Sequence, residues 1–188
     1  MVEHDRIPTD IPGLDKILQG GLPKNGVFLV TGNTGAGKTL FCSQFLWNGL
    51  EKGEKGIFFS LEERTKDIIH NAETFNWNFQ KHIDDKNFVL EYSDPFELSN
   101  ISSLIKEKIE TNEAKRVVID STSVLGMVSD NEHEIRKNLY QLVEALKQTG
   151  ATVLLTSEIP EGSKQLSRFG VKEFVADGVI LLNYENGK

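Results

Sequence analysis

The chain has 188 residues, of which 38% are hydrophobic, and a formal net charge of -7. This length favours one well-packed domain, and we expect residues 1–188 to form it. The acidic balance argues against broad affinity for nucleic-acid backbones, which would require a local basic patch. A single cysteine excludes an internal disulfide, and we find no secretory signal or apolar run of 18 residues. We therefore expect a cytoplasmic protein without membrane insertion.

The first predicted elements are a short helix and a buried strand. Residues 9–26 indicate a turn, a helix from Pro12 to Leu18 and a glycine-terminated entry into a strand at 26–32. In the helix after that strand, Leu40, Phe41, Phe45 and Leu46 are spaced to pack on a sheet.

The first strand runs into a phosphate-binding pattern. Residues Gly32-Asn33-Thr34-Gly35-Ala36-Gly37-Lys38-Thr39 match G-x-x-x-x-G-K-[ST] at every specified position. The glycines allow the loop to turn its N–H groups inward, where they form an anion site with the N-terminus of the following helix. We expect Lys38 to reach the β- and γ-phosphates of a nucleoside triphosphate and Thr39 to bind Mg²⁺, with Leu40 completing the nucleotide-binding set. The glycine spacing does not fit the dinucleotide pattern G-x-G-x-x-G.

Carboxylates follow two of the later strands. The strand at 56–61 runs into Glu62 and Glu63, which we expect to orient or deprotonate water, with Lys38 completing the predicted catalytic set. Side chains alternate along a strand, so one of the two glutamates should face the phosphate. The strand at 116–120 ends in Asp120, the expected Mg²⁺ ligand. Solvated acids at strand ends are the alternative for both strands.

The remaining elements complete an alternation of strands and helices. A helix near Thr65, a strand at 87–92 and helices near Glu97 and Glu132 are predicted, the last of these ending by Gly150. Two helical faces are apolar: Leu98, Ile101, Leu104, Ile105 and Ile109, and Ile135, Leu139, Leu142, Val143 and Leu146. The final strands are predicted at 151–157 and 178–184. At the end of the first lie Thr156, Ser157 and Glu158, which could sense a γ-phosphate through water. The alternation predicts an α/β fold with three α/β/α layers and a mainly parallel central sheet.

The order of these motifs resembles KaiC-like ATPases, a branch of the RecA-like P-loop NTPases. Matching blocks lie at residues 7–39, 60–77, 116–125, 154–158 and 170–182. The resemblance implies a RecA-like core that binds ATP and Mg²⁺ and hydrolyses ATP in a homo-oligomer, commonly a hexameric ring with nucleotide at the subunit boundaries. It gives the phosphate role to residues 32–39, the Mg²⁺ role to Asp120 and the catalytic role to Glu62, with Glu63 beside it. Thr74 corresponds to a position near the base.

One part of the family pattern is not found. In KaiC-like proteins the strand equivalent to 178–184 is followed by another strand, whose Lys-x-Arg pair reaches the neighbour's nucleotide, whereas this sequence stops at Lys188. We expect that the C-terminal strand or strands are missing from the chain as given, or that the protein lacks the pair. Losing such a cation costs a factor of about 10³ or more in rate, so slow hydrolysis is expected.

Other conspicuous residues are expected to be structural. Four histidines lack a metal-binding spacing and are expected at the surface: His4, His70, His82 and His133. Cys42 should pack inside, and three aromatics should lie in the core or a subunit interface rather than on a base: Trp47, Phe75 and Trp77. Residues 161–168 are predicted to be a loop.

These observations lead to one principal function and two alternatives. The principal function is ATP binding and hydrolysis, acting through nucleotide-dependent assembly or binding of a protein partner. The alternatives are a nucleotide-switched binding module with negligible turnover and a RadA-like recombinase paralogue that binds DNA. The sequence leaves autophosphorylation open.

Overall fold

The structure is a computed structural model that describes residues 5–94, 101–126, 131–159 and 176–183. Its strands are β1 (Arg6–Ile7), β2 (Leu22–Pro23), β3 (Val27–Gly32), β4 (Gly56–Ser60), β5 (Phe88–Tyr92), β6 (Arg116–Asp120), β7 (Thr152–Glu158) and β8 (Gly178–Leu182). Its helices are α1 (Leu14–Ile17), α2 (Lys38–Leu50), α3 (Thr65–Glu73), α4 (Phe79–Asp84), α5 (Ile101–Asn112) and α6 (Glu132–Lys147), with a 3₁₀ helix at Thr122–Gly126.

The six longer strands form a single parallel sheet in the order β5-β4-β6-β7-β3-β8. Each corresponds to one of the six predicted strands. The apolar character of these runs is explained by burial on both faces, because alternate residues of a strand point to opposite sides. In β3, Val27 and Leu29 belong to one core, whereas Phe28 and Val30 belong to the other. The three-layer α/β/α fold with a parallel sheet is therefore confirmed.

The helices divide between these two cores. The apolar faces of α5 and α6 pack in the core that contains Val27, whereas α2, α3 and α4 pack in the core that contains Phe28. All five residues of the predicted α6 face are buried. Asn131 caps that helix, because its side chain accepts a hydrogen bond from the backbone N of His133 at 3.0 Å. Leu98 and the predicted helix start near Glu97 lie outside the described residues.

Two small features were not predicted, and both lie outside the main sheet. Strands β1 and β2 pair antiparallel, and α4 follows α3 directly. The segment between β1 and β2 is tied by Asp15, whose carboxylate accepts hydrogen bonds from Thr9 N, Thr9 Oγ1 and Asp10 N at 2.9, 2.6 and 2.8 Å. Burial raises the pKa of Asp15, but these hydrogen bonds outweigh it and hold the pKa below its usual value.

The prediction of surface histidines is wrong for His82. His82 is 5% exposed, its Nε2 lies 3.2 Å from Glu51 Oε1, and its Nδ1 lies 3.2 Å from the side-chain oxygen of Asn87. Its ring meets Trp47 edge-on with the centroids 5.2 Å apart. His70 and His133 are exposed as predicted, and His4 lies outside the described residues.

Candidate nucleotide-binding site

The phosphate-binding pattern forms the connection between β3 and α2. A Cβ on Gly32 would lie 2.3 Å from the carbonyl oxygen of Leu182, so the approach of β8 leaves room only for glycine. Gly37 has a φ of +86° and precedes α2, where no side chain caps the helix. The first N–H groups of α2 consequently lack a side-chain capping bond and face the region where an anion would be held.

Lys38 is folded back over this loop. The side chain is buried, and Nζ donates hydrogen bonds to the carbonyl oxygens of Gly32 at 3.1 Å and Asn33 at 3.0 Å. Both acceptors are neutral, so the ammonium charge has no carboxylate partner in these two contacts. Lys38 therefore places its positive charge within the phosphate-binding loop.

Thr39 and Asp120 come together beneath the loop. Thr39 Oγ1 donates to Asp120 Oδ2 at 2.6 Å, and Thr156 Oγ1 donates to Asp120 Oδ1. Burial raises the pKa of Asp120, and the two threonine hydrogen bonds oppose this rise. A carboxylate beside a hydroxyl fits a hard cation such as Mg²⁺, which prefers oxygen ligands and uses few from the protein when it is bound to phosphates. The residues present therefore fit the expected ion.

Glu62 and Glu63 both line the cavity next to the loop. Glu62 Oε1 accepts a hydrogen bond from Ser121 Oγ at 2.5 Å, whereas Glu63 Oε2 lies 3.4 Å from its donor, Asn71 Nδ2. The prediction that only one of them faces the site assumed strand alternation, but β4 ends at Ser60 and the alternation does not extend to these residues.

The environment perturbs the pKa of each glutamate. Burial is the largest cause of the raised pKa of Glu62, with the charge of Asp120 acting in the same direction and the Ser121 hydrogen bond opposing it. Burial likewise raises the pKa of Glu63, followed by the charges of Asp120 and Asp67. Both carboxyl groups are therefore more basic than in water.

The cavity has a volume of about 450 Å³ and extends from the phosphate-binding loop to the end of α3. Thr74 lies in its wall beside Phe75 and Trp77, whose rings stack with centroids 5.1 Å apart. Phe75 is 48% exposed, which excludes the core for this residue, and its predicted alternative place in a subunit interface stays a prediction. Leu40 also lines the cavity and is 39% exposed, which contradicts the prediction that it packs on the sheet.

The predicted buried positions of Cys42 and Trp47 are supported. Cys42 is fully buried within the core on the α2 side, and burial raises the pKa of its thiol well above the usual value. Trp47 is partly buried against the same core, as is Trp77.

The three predicted phosphate-sensing residues at the end of β7 make different contacts. The Thr156 hydroxyl is on Asp120, and Ser157 Oγ lies 3.5 Å from Ser123 Oγ in the interior. Only Glu158 lines the cavity, where its Oε1 accepts a hydrogen bond from Thr34 Oγ1 at 3.2 Å. Residues 161–168 lie outside the described residues.

The sequence analysis named Thr74 but missed the rest of the wall contributed by α3 and its C-terminal turn. Four residues of this wall share one helical face: Ile68, Asn71, Ala72 and Phe75. Their i, i+3, i+4, i+7 spacing was a readable signal. Ser121 was also missed, because its contact with Glu62 depends on the pairing of β4 with β6.

The described residues contain neither a ready-made metal cluster nor a membrane-spanning helix. No group of three or more histidine, cysteine or acidic side chains is arranged to hold a metal ion by itself. None of the helices in the described part of the chain is long and apolar enough to cross a membrane.

The parallel sheet and the phosphate-binding loop at its carboxyl edge define a RecA-like P-loop core. A family model for the ATPase KaiC matches residues 7–188. The circadian clock oscillator proteins KaiC of Thermostichus vulcanus and Synechococcus elongatus are each 42% identical, over 191 and 194 residues, and each match covers 96% of this chain. The chain belongs to the KaiC family of ATPases.

A solved structure agrees with this assignment. The crystal structure of a KaiC-like protein from the hyperthermophilic archaeon Pyrococcus horikoshii matches with a TM-score of 0.89 at 36% identity, covering 98% of this chain and 83% of that one. The chain spans 37% of the length of the two cyanobacterial clock proteins.

Proposed function

We propose that this chain binds ATP with Mg²⁺ at residues 32–39 and hydrolyses it with water activated by Glu62. The observation that carries the proposal is the convergence on one cavity of the phosphate-binding loop, the Thr39–Asp120 pair at 2.6 Å and Glu62. The cavity volume of about 450 Å³ is within the range of small-molecule sites.

The phosphates would be held by the loop amides, the N-terminus of α2 and Lys38. In this proposal Lys38 exchanges its two carbonyl acceptors for phosphate oxygens, which are better acceptors because they are charged. Thr39 and Asp120 would hold Mg²⁺, which neutralises charge on the transferred phosphoryl group when it is bound. The end of α3 near Thr74 would receive the base.

Glu62 is the better placed of the two glutamates to act on water. Its hydrogen bond from Ser121 restricts the carboxylate, and its raised pKa moves it towards the range where a general base works well at neutral pH. Glu63, with one long hydrogen bond, would support the electrostatics beside it.

The charge of the cavity favours assembly with another subunit. Four carboxyl groups line it, from Glu62, Glu63, Asp120 and Glu158, whereas Lys38 is the one cation among its described lining residues. A triphosphate adds further negative charge, so binding calls for Mg²⁺ and for a cation from elsewhere. We propose that a neighbouring subunit of a homo-oligomer, such as a hexameric ring, supplies it, and that nucleotide controls this assembly or the binding of a protein partner.

Phosphate release and light scattering test the proposal together. We expect Mg²⁺-dependent phosphate release that falls by about 10² or more in Lys38→Ala, which removes the loop cation. Lys24→Ala is the matched control, because Lys24 is a surface lysine paired with Asp5 and should leave the rate unchanged. Light scattering should report a larger particle with ATP than without.

Two results would contradict parts of this function. Equal phosphate release by wild type and Lys38→Ala would refute the site. Tight ATP binding by wild type without phosphate release, under conditions where rings form, would replace hydrolysis by the nucleotide-switched binding module.

A further inference from the structure

The structure assigns Thr156 as a positioning residue for the metal site, whose hydroxyl orients the Asp120 carboxylate towards Thr39 and a divalent cation. This inference deepens the proposed function and rests on it, because it takes Thr39 and Asp120 as the groups that hold the cation. Thr156 contacts neither the nucleotide nor the cation in this account and acts through Asp120.

The two oxygens of Asp120 have separate donors. Thr156 Oγ1 donates to Oδ1, and Thr39 Oγ1 donates to Oδ2 at 2.6 Å. A donor fixed on Oδ1 limits rotation of the carboxylate about its terminal bond. Oδ2 is therefore directed at the N-terminus of α2, where Thr39 is the second residue of the helix.

Thr156 is itself held in place by its surroundings. It is fully buried, pairs with Val30 of β3 in the sheet register, and its carbonyl oxygen accepts a hydrogen bond from Thr122 Oγ1 at 2.7 Å. The β-branched side chain has restricted χ1 freedom. The hydroxyl is thus preorganised by the central strand β7 rather than by a surface loop.

A direct role for Thr156 as a phosphate sensor fits the geometry less well. The hydroxyl hydrogen is committed to Asp120, and Thr156 is not among the described residues that line the cavity. Groups that orient metal ligands commonly contribute a factor of about 10–100 to metal affinity. An effect of that size on the cation, with none on metal-free nucleotide binding, separates positioning from a purely structural hydrogen bond.

The test compares Thr156→Val, which removes the hydroxyl at similar volume, with Thr156→Ser, which keeps it. Mn²⁺ is titrated into the full chain saturated with a non-hydrolysable ATP analogue and followed by electron paramagnetic resonance. Affinity for the analogue in EDTA is measured separately. We expect Thr156→Val to weaken Mn²⁺ binding by about 10–100-fold, Thr156→Ser to restore it to near the wild-type value, and analogue affinity in EDTA to be unchanged.

The inference is overturned if Thr156→Val binds Mn²⁺ as wild type does, if Thr156→Ser is as impaired as Thr156→Val, or if analogue affinity in EDTA falls equally. Circular dichroism checks folding, and Thr156→Ala provides a second variant without the hydroxyl should Thr156→Val not fold. If wild type requires Mn²⁺ to bind the analogue tightly but releases no phosphate from ATP, the proposed hydrolysis is refuted and the positioning role of Thr156 is retained. Wild type whose analogue binding is indifferent to Mn²⁺ would overturn both.

Discussion

Replacing Glu62 by Gln tests the assignment of the water-activating group. Gln has nearly the same shape and keeps an oxygen that can accept the hydrogen bond from Ser121 Oγ, now 2.5 Å from Glu62 Oε1. It cannot take a proton from water. Because the surroundings of Glu62 disfavour its charged form, the neutral amide should be tolerated by the fold.

The expected loss follows from the chemistry that is removed. A positioned general base contributes a factor of about 10²–10⁴, which corresponds to about 3–5 kcal/mol in the barrier. Glu63→Gln should lose less, by a factor of about 10 at most, because its electrostatic support is one term among several charges at the site. ATP affinity should not fall in either variant, since each removes a negative charge beside the phosphates.

The two variants are compared with wild type by single-turnover phosphate release, and nucleotide affinity is measured in parallel. Glu62 is not the water-activating group if Glu62→Gln releases phosphate as fast as wild type, or if the rate falls as much in Glu63→Gln as in Glu62→Gln. A large fall in ATP affinity in Glu62→Gln would assign that side chain to binding instead.

Two further predictions concern the stability of the fold. Asp15→Asn should lower the free energy of unfolding at pH 7 by about 1 kcal/mol, because it weakens charge-assisted hydrogen bonds at a partly exposed group, where solvent screens the charge. Because the pKa of Asp15 is lowered in the folded state, this contribution is complete above the usual pKa of about 3.9 and is lost as the pH falls through the folded-state pKa. Chemical denaturation from pH 3 to 7 should therefore show a difference in stability between wild type and Asp15→Asn that grows with pH. A difference that does not change with pH would contradict this. Gly32→Ala should destabilise by about 1–3 kcal/mol, since its Cβ would meet the carbonyl oxygen of Leu182 at 2.3 Å. Gly53 has open space where a Cβ would lie but a φ of +79°, so Gly53→Ala should lower the free energy of unfolding by about 1 kcal/mol. An equal loss of stability in Gly32→Ala and Gly53→Ala would show that the contact with Leu182 adds no cost.

Much of the fold was predictable because its signals are local in the chain. The apolar runs that became β3 and β6 are buried on both faces, so they carry no alternation and differ clearly from the amphipathic helices between them. The phosphate-binding loop is a contiguous pattern whose glycines have local conformational reasons. Asp120 and Glu62 could be placed near the loop because parallel strands present their carboxyl ends at one edge.

Contacts that depend on the order of strands in the sheet could not be predicted from the sequence. Ser121 meets Glu62 because β4 and β6 are neighbours, with Ser60 opposite Asp120. Thr156 meets Asp120 because β7 follows β6 in the sheet, although the two residues are 36 positions apart. No periodicity or motif encodes either adjacency.

Other features were not predicted because they depend on packing or are too short to show a pattern. His82 is buried because α4 lies close to Glu51 at the end of α2, 31 positions away. The strands β1 and β2 have two residues each, too few to show a pattern. Leu40 has an apolar side chain, but its position in the first turn of α2 turns it to the cavity rather than to the sheet.

Titration calorimetry with a non-hydrolysable ATP analogue tests the central claim most directly, because it measures binding at the loop without turnover. With Mg²⁺ present, the account predicts saturable heat with one nucleotide per chain, and an affinity at least about tenfold weaker in Lys38→Ala. The absence of saturable heat from ATP and from its analogue, or an unchanged affinity in Lys38→Ala, would contradict it.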